Sequence, residues 1–314
     1  MVAGDAVLLH ERRFAADPER VWRAVSDSAE LGLWFPAVPE GDFRAGGHLR
    51  FTFAGDPAED GGDGEVTEFD PPRVLGFLWN RDALRFEVVP DDSGSGGTRF
   101  TLTHVAGGGA LGRLAAARTA HGWDTCLAAL EALLEGRDPE AVSPSPTERL
   151  AALERYVAEF GLDVGEAVAT PDGFTVSFAR DLLWTPLEEV WALLTGGEEV
   201  VTGTAPPEGA VDGDVGAGPV TAADAPRVLE YTWTHEGAAA GTVRWDLVHD
   251  PESGTRVELT QTVPERLGGV LPTALAAWHA HLERFFAAVV GGERGPWPRG
   301  RTEELRGRYA ARPA

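Results

Sequence analysis

The chain reads twice, and that repetition constrains its fold more than any other feature. Gly64 to Trp79 (GEVTEFDPPRVLGFLW) aligns without a gap on Gly218 to Trp233 (GPVTAADAPRVLEYTW), with nine of the sixteen positions identical. GTRFTLTH from Gly97 is echoed by GTRVELTQ from Gly254, and GWDTCLAALEALLEG from Gly122 by AWHAHLERFFAAVVG from Ala277. The offsets of 154, 157 and 155 residues belong to a duplicated domain, not to a short stacking repeat. A length of 314 residues gives each copy enough chain for its own core.

Each copy opens with a strand-like stretch, Val7 to Phe14 or FTVSFARDL from Phe174, followed by a helix-start signal. In the first copy that signal is Asp17-Pro18, an N-cap residue followed by a proline at the first helical position; in the second, Thr185 and Glu188 have capping-box spacing. Alternating segments come next. Leu49, Phe51 and Phe53 share one face, as do Leu75, Phe77 and Trp79, and Leu84, Phe86 and Val88. In the second copy the inward sets are Leu229, Tyr231 and Trp233, then Val243, Trp245 and Leu247. Period-two alternation with one polar face predicts antiparallel strands covered on one side. The cover is the last helix of each copy, where Trp123, Leu127, Leu130 and Leu134 form one helical stripe and Trp278, Leu282, Phe285 and Val289 another.

These patterns divide the chain into a first domain at 1–138, a Pro-rich linker and amphipathic helix at 139–170, a second domain at 171–291 and an Arg-rich tail at 292–314. The tail carries no strand pattern and reads as a flexible end, with Pro296-Trp297-Pro298 as an anchor. The copies differ in length. Trp22 to Arg73 spans 51 residues but Trp191 to Arg227 only 36, so the second copy lacks 15 residues where the first has LWFP and LRFTF. A run rich in Gly, Pro and Asp from Gly203 to Gly218 stands there instead, which predicts a sheet a strand short or a more open interior.

Composition excludes several kinds of chemistry. The chain has no Lys and no Ile, and Asn80 is its single Asn, the usage expected of GC-rich bacterial codons; all 27 basic residues are Arg. Without Lys there is no Schiff-base, pyridoxal-phosphate or P-loop chemistry. A net charge of −23 opposes binding to nucleic acid or to anionic membrane surfaces. Cys126 is alone, and neither a signal-peptide pattern nor an apolar run of membrane-spanning length is present, so the expectation is an acidic cytoplasmic protein. No metal site is expected, because helical geometry joins His279 to Glu283 but turns His281 away. The acidic loop of Asp56, Asp60, Asp63 and Glu65 lacks calcium-loop spacing. Gly107 to Gly112 (GGGALG) meets the dinucleotide pattern literally, but it follows an antiparallel meander and reads as a hairpin-to-helix connection.

Pro18-Glu-Arg-Val-Trp22, Trp34-Phe35, Gly46-Gly47 before LRFTF, and Gly64 through Trp79 occur in the order found in one family. The first copy resembles the activator-of-heat-shock-protein-90-ATPase homologue-like domain of the START-like (SRPBCC) helix-grip superfamily, and residues 171–291 resemble it more weakly. The resemblance implies an α+β fold of two tandem helix-grip domains, each a curved antiparallel sheet wrapped on a long C-terminal helix. It also implies a cavity for a hydrophobic small molecule, and it carries over no catalytic residue.

Aromatic inward faces with a few polar groups suit an apolar ligand pocket. The candidate lining residues are Trp34, Phe51, Phe53, Phe77, Trp79, Phe86, His104, Trp123 and Leu127 in the first copy, and Tyr231, Trp233, Trp245, Trp278 and Phe285 in the second. His104 and its counterpart Gln261 end an apolar strand face, where they would orient a ligand or serve only as satisfied core groups. The reading is non-catalytic binding of a hydrophobic or aromatic small molecule, chiefly by the first domain, with no cofactor. A polyketide aromatase or cyclase, with His104 or Tyr231 moving protons, is the alternative from the enzyme class. A co-chaperone-like adaptor for an ATPase is the third reading.

Overall fold

A computed structural model describes residues 4–53, 60–92, 96–292 and 296–312. Asp56 lies outside them. The chain forms two compact units, Met1–Ser145 and Pro146–Ala314.

The first unit starts with strand β1 (Ala6–Phe14) and two short helices, α1 (Pro18–Ser26) and α2 (Ser28–Leu31). The Asp17 carboxylate accepts the Arg20 amide at 2.9 Å, and Pro18 opens α1, as the sequence predicts. Strands β2 (Ala37–Gly41), β3 (His48–Phe53), β4 (Asp60–Asp70), β5 (Val74–Trp79), β6 (Asp82–Pro90) and β7 (Thr98–Ala106) follow, then helices α3 (Ala110–Leu114) and α4 (Ala116–Leu134). The strands form one antiparallel sheet ordered β1-β7-β6-β5-β4-β3-β2. Its inner residues Leu49, Phe51, Leu75, Phe77, Leu84, Phe86, Phe100 and Leu102 are buried, as are Ala120, Trp123, Leu127 and Leu130 of α4. The glycine-rich segment at 107–109 joins β7 to α3 and binds no second parallel strand.

The second unit runs α5 (Pro146–Glu159), β8 (Glu166–Thr170), β9 (Gly173–Asp181), α6 (Leu187–Thr195), β10 (Gly216–Asp224), β11 (Val228–His235), β12 (Ala238–Asp250), β13 (Gly254–Pro264), α7 (Leu271–Val289) and α8 (Arg299–Ala310). The antiparallel order is β10-β11-β12-β13-β9-β8. Among the described residues nothing corresponds to β2 and β3, while β8 adds an edge on the opposite side of the sheet. Helix α5 joins this unit through Leu153 in its core and Glu154, which accepts from buried Arg180 at 2.7 Å. It ends at Gly161, whose φ of +67° lets the Leu162 amide reach the Val157 carbonyl.

Two local expectations fail. Thr185 does not cap α6; extended Pro186 (φ −57°, ψ 145°) makes the helix begin at Leu187, with no side-chain cap. Thr185 instead offers its carbonyl to the Thr255 hydroxyl at 2.6 Å. Within the tail, Arg299–Ala310 is a helix and not part of a flexible end. Thr302, Leu305 and Tyr309 make a buried stripe on it, while Arg301–Glu304 and Arg306–Glu303 pair along its outer side.

The repeated Asp-x-Pro-Arg-Val-Leu words form the same turn twice. Arg73 N–H bonds to Asp70 O and Arg227 N–H to Asp224 O; one residue pair further, Val88 N–H meets Arg73 O and Leu247 N–H meets Arg227 O. The bonds run from 2.7 to 2.8 Å in both copies, so the shared sequence codes a shared backbone device.

Candidate functional site

In the first domain, alternation aims Phe51, Phe77 and Phe86 inward, and the turn after α2 drives Trp34 and Phe35 in against them. Phe35 is the hub. Its ring lies 5.3 Å from Trp79, 5.5 Å from Trp123, 6.0 Å from Phe77, 6.2 Å from Phe86 and 6.3 Å from Phe51. Trp34 meets Phe86 at 5.8 Å and donates its indole N–H to the Ala24 carbonyl. Phe51 stacks on Trp79 at 4.9 Å, and Phe53 reaches the same indole at 6.2 Å. Trp79 and Phe53 are half-buried at one end of this wall; the other candidates of this domain, Leu127 included, are buried. Contacts at such spacings add about 0.5–1.5 kcal/mol per pair beyond area burial.

His104 is held on both sides. Trp123 Nε1–H donates to its Nδ1 at 2.8 Å, which requires a lone pair there and assigns the ring proton to Nε2. That proton faces Asp82 Oδ2 at 2.9 Å, and Asp82 Oδ1 in turn accepts the Gly107 amide at 2.8 Å. The neutral imidazole is a fixed acceptor for the indole. A second polar contact, not foreseen from sequence, ties β1 to α4: Arg12 donates to Asp124 Oδ1 at 2.7 Å, with buried His10 at 3.7 Å from the same oxygen. The signal was present, since His10 and Arg12 lie on the same period-two face as Leu8 and Phe14, and Arg180 repeats Arg12 in the second copy.

The second domain repeats the scheme with polar substitutions. Trp278 Nε1–H donates to Gln261 Oε1 at 2.7 Å, as Trp123 does to His104, but Gln261 Nε2 is buried without a hydrogen-bond partner among the described residues. Tyr231 and Trp245, standing where the first domain has Phe77 and Phe86, both donate to the Ala210 carbonyl, at 2.8 and 3.2 Å. His281 Nε2 lies 3.0 Å from the neighbouring Gly209 carbonyl. Trp245 also packs against Trp278 at 5.9 Å and Phe285 at 5.7 Å, whereas Trp233 turns its N–H to the Thr262 carbonyl at 2.7 Å. Buried Asp212 accepts the Asp214 and Val215 amides on Oδ1 and has no partner among the described residues for Oδ2. Burial pushes its pKa up to about 7, against the pull of those two amides. Burial, with Asp212 nearby, raises Tyr231 well above the usual phenol range.

A charged cluster fastens α8. Buried His279 places Nε2 at 3.2 Å from Glu283 and 3.3 Å from Asp163, and its Nδ1 at 3.0 Å from the Tyr309 hydroxyl, which also accepts the Gly165 amide. Burial opposes the imidazolium, but the two carboxylates outweigh it and raise the His279 pKa. Despite its own burial, Glu283 is held down at about 2 by His279 and Arg301. His279 and Glu283 share a face and His281 does not, as helical spacing requires. Among the described residues no group of three or more His, Cys, Asp or Glu side chains is arranged to hold a metal ion.

Residues 15–135 match the family described as Activator of Hsp90 ATPase homolog 1-like protein. Residues 15–135 are thus similar to a domain of that family, in an α+β fold whose antiparallel sheet packs on a long helix. Similar solved structures include CalU16 from Micromonospora echinospora, at 24% identity over 49% of this chain and 86% of that one, with a TM-score of 0.37. A conserved protein of unknown function from Enterococcus faecalis, EF2215, is 17% identical over 51% and 88%, with a TM-score of 0.41. The protein encoded by BPP1335 of Bordetella parapertussis is 25% identical over 50% and 86%, with a TM-score of 0.37. No curated protein matches. Among the described residues no helix is long and apolar enough to cross a membrane.

Proposed function

We propose that this protein binds a hydrophobic or aromatic small molecule without transforming it, and that the first domain holds the site. The observation that supports this reading is the stacked Phe51–Trp79 pair, with Trp79 and Phe53 partly open at the end of an otherwise buried aromatic wall. A flat apolar ligand extends such a stack, gaining about 25 cal/mol for each Å² of apolar surface removed from water. The polar groups beside the wall argue for binding over catalysis. His104 has both ring nitrogens engaged, and in the second domain the Tyr231 hydroxyl is committed to a backbone carbonyl. A cyclase would need one of them free to exchange a proton with substrate.

The test is a tryptophan-fluorescence titration of the full chain with fatty acids, flavonoids and polyketide-like aromatics, on wild type, Trp79→Leu and Trp233→Leu. Saturable quenching that survives Trp233→Leu and is lost in folded Trp79→Leu is the expected result. Absence of any saturable response across the panel would refute the reading, and turnover of a bound compound would transfer it to the cyclase class.

A further inference from the structure

The segment from Gly203 to Val215 takes no part in the sheet. Its base is held by Gly203 N–H to Val220 O and Val220 N–H to Thr204 O, and its middle makes the local backbone bonds Ala210 N–H to Pro207 O and Val211 N–H to Glu208 O. Yet Gly209 and Ala210 are buried. Three ring groups hold them from inside: the Tyr231 hydroxyl and the Trp245 indole on one carbonyl oxygen, and the His281 imidazole on the next. In the first domain the equivalent strand positions are Phe77 and Phe86, which offer no donor, and Phe35 lies against both. The second domain has exchanged an apolar wedge for a peptide carbonyl and has supplied two donors to receive it. A buried carboxylate oxygen of Asp212, without a partner among the described residues, lies two positions along the same segment.

We infer that residues 208–212 act as an internal ligand of the second domain. The Tyr231–Trp245 seat they fill accepts the carbonyl oxygen of a small aromatic ketone or amide once the segment withdraws. Two donors converging on one oxygen in an apolar, aromatic surround select a neutral carbonyl compound, because a hydrocarbon leaves both donors unpaired and an ionised carboxylate costs far more to bury among aromatic rings. The latch on the outside is Trp297. Its ring lies so close over Gly213 that a Cβ added there would fall 2.7 Å from it, and it packs 6.3 Å from the His281 ring. The segment thus closes a pocket that a minor opened state exposes.

The inference does not depend on binding in the first domain, and the test removes that domain's contribution by using full-length Trp79→Leu as parent. The probe is prodan, a naphthalene ketone whose emission reports polarity, with 2-ethylnaphthalene as the analogue lacking the carbonyl. Gly213→Ala and Trp297→Ala, introduced separately, each loosen the latch without touching the seat. The expected result is prodan binding at least tenfold tighter than in the parent. Added Tyr231→Phe should weaken it about five- to tenfold while leaving the hydrocarbon unaffected. Folded variants that bind prodan no better than the parent, or binding indifferent to Tyr231→Phe, overturn the inference. Hydrogen exchange of the wild-type protein decides the matter if neither variant folds. Exchange of the Gly209 to Val211 amides through a local opening supports the latch, whereas exchange only by global unfolding makes the segment ordinary core and overturns it.

Discussion

Phe77 and Phe86 in one domain and Tyr231 and Trp245 in the other stand at matching places, since Leu75 pairs with Phe86 as Leu229 pairs with Trp245. Around them the two interiors diverge. The first domain centres on Phe35, a side chain supplied by the LWFP turn, whose ring packs against those of Phe51, Phe77, Trp79, Phe86 and Trp123. The second lacks that turn and sets the Gly209 and Ala210 backbone against the rings of Tyr231, Trp245 and His281, where the carbonyls must be paired because an unpaired buried polar group costs several kcal/mol. Loss of 15 residues and gain of two donors are thus one change seen from two sides. What both domains retain is the indole of the long helix donating to a polar side chain on the last strand: Trp123 to His104, Trp278 to Gln261. The grip is shared, and its contents are not.

The largest effect expected from this contrast is Phe35→Ala. Removing the hub should cost about 3–5 kcal/mol and fall on the first domain alone. Urea unfolding followed by hydrogen exchange checks it by reporting each domain separately. Equal loss in both domains would mean that they do not carry separate cores.

Acidity should separate the domains in the other direction. Asp212 titrates at about 7 when folded against 3.8 ordinarily, so between those values the folded state keeps a proton that the unfolded chain has released. Stability of the second domain therefore falls as pH rises from about 4 to about 7 and levels off above, by up to about 4 kcal/mol. His279 acts in the same sense: its raised folded pKa gives stability that is complete below about 6.5 and is lost as pH climbs through the folded value. Glu283 and Asp163, held low, set the acid limit, because their contribution disappears as pH drops below the ordinary carboxylate range. The stability of the second domain should therefore be greatest at about pH 4–4.5, where the Asp212 loss begins and the carboxylate loss ends. Asp212→Asn keeps an acceptor for the Asp214 and Val215 amides and should flatten most of the neutral-side slope. An unchanged slope would show that Asp212 is not the group responsible.

Much of this arrangement was legible in the residues. The repeat located two domains, period-two alternation chose the inward aromatics, and the stripes through Trp123 and Trp278 identified the helices that each sheet grips. Three features were not legible, each for a physical reason. The Ala210 carbonyl is a backbone atom, and no residue type announces that two rings will converge on it. The partners of His104 and His279 lie far away along the chain: Asp82 is 22 residues from His104, and Tyr309 is 30 from His279. The stripe of Thr302, Leu305 and Tyr309 was hidden among arginines, whose neighbouring glutamates neutralise them only once the helix has formed.

The finest test of the comparison exchanges the one feature that both domains keep. If His104 serves only as an acceptor for Trp123 and a donor to Asp82, a side-chain amide can do both, with Oε1 facing the indole and Nε2 facing the carboxylate. His104→Gln, which installs the second domain's solution in the first, should then cost under about 1 kcal/mol and leave small-molecule binding unchanged. His104→Leu keeps the volume but strands a buried indole N–H and a carboxylate oxygen, and should cost about 1–3 kcal/mol. Thermal melts of the two variants side by side provide the measurement. A glutamine variant as damaged as the leucine one would show that the imidazole ring itself, and not its pair of hydrogen bonds, is what the first domain requires.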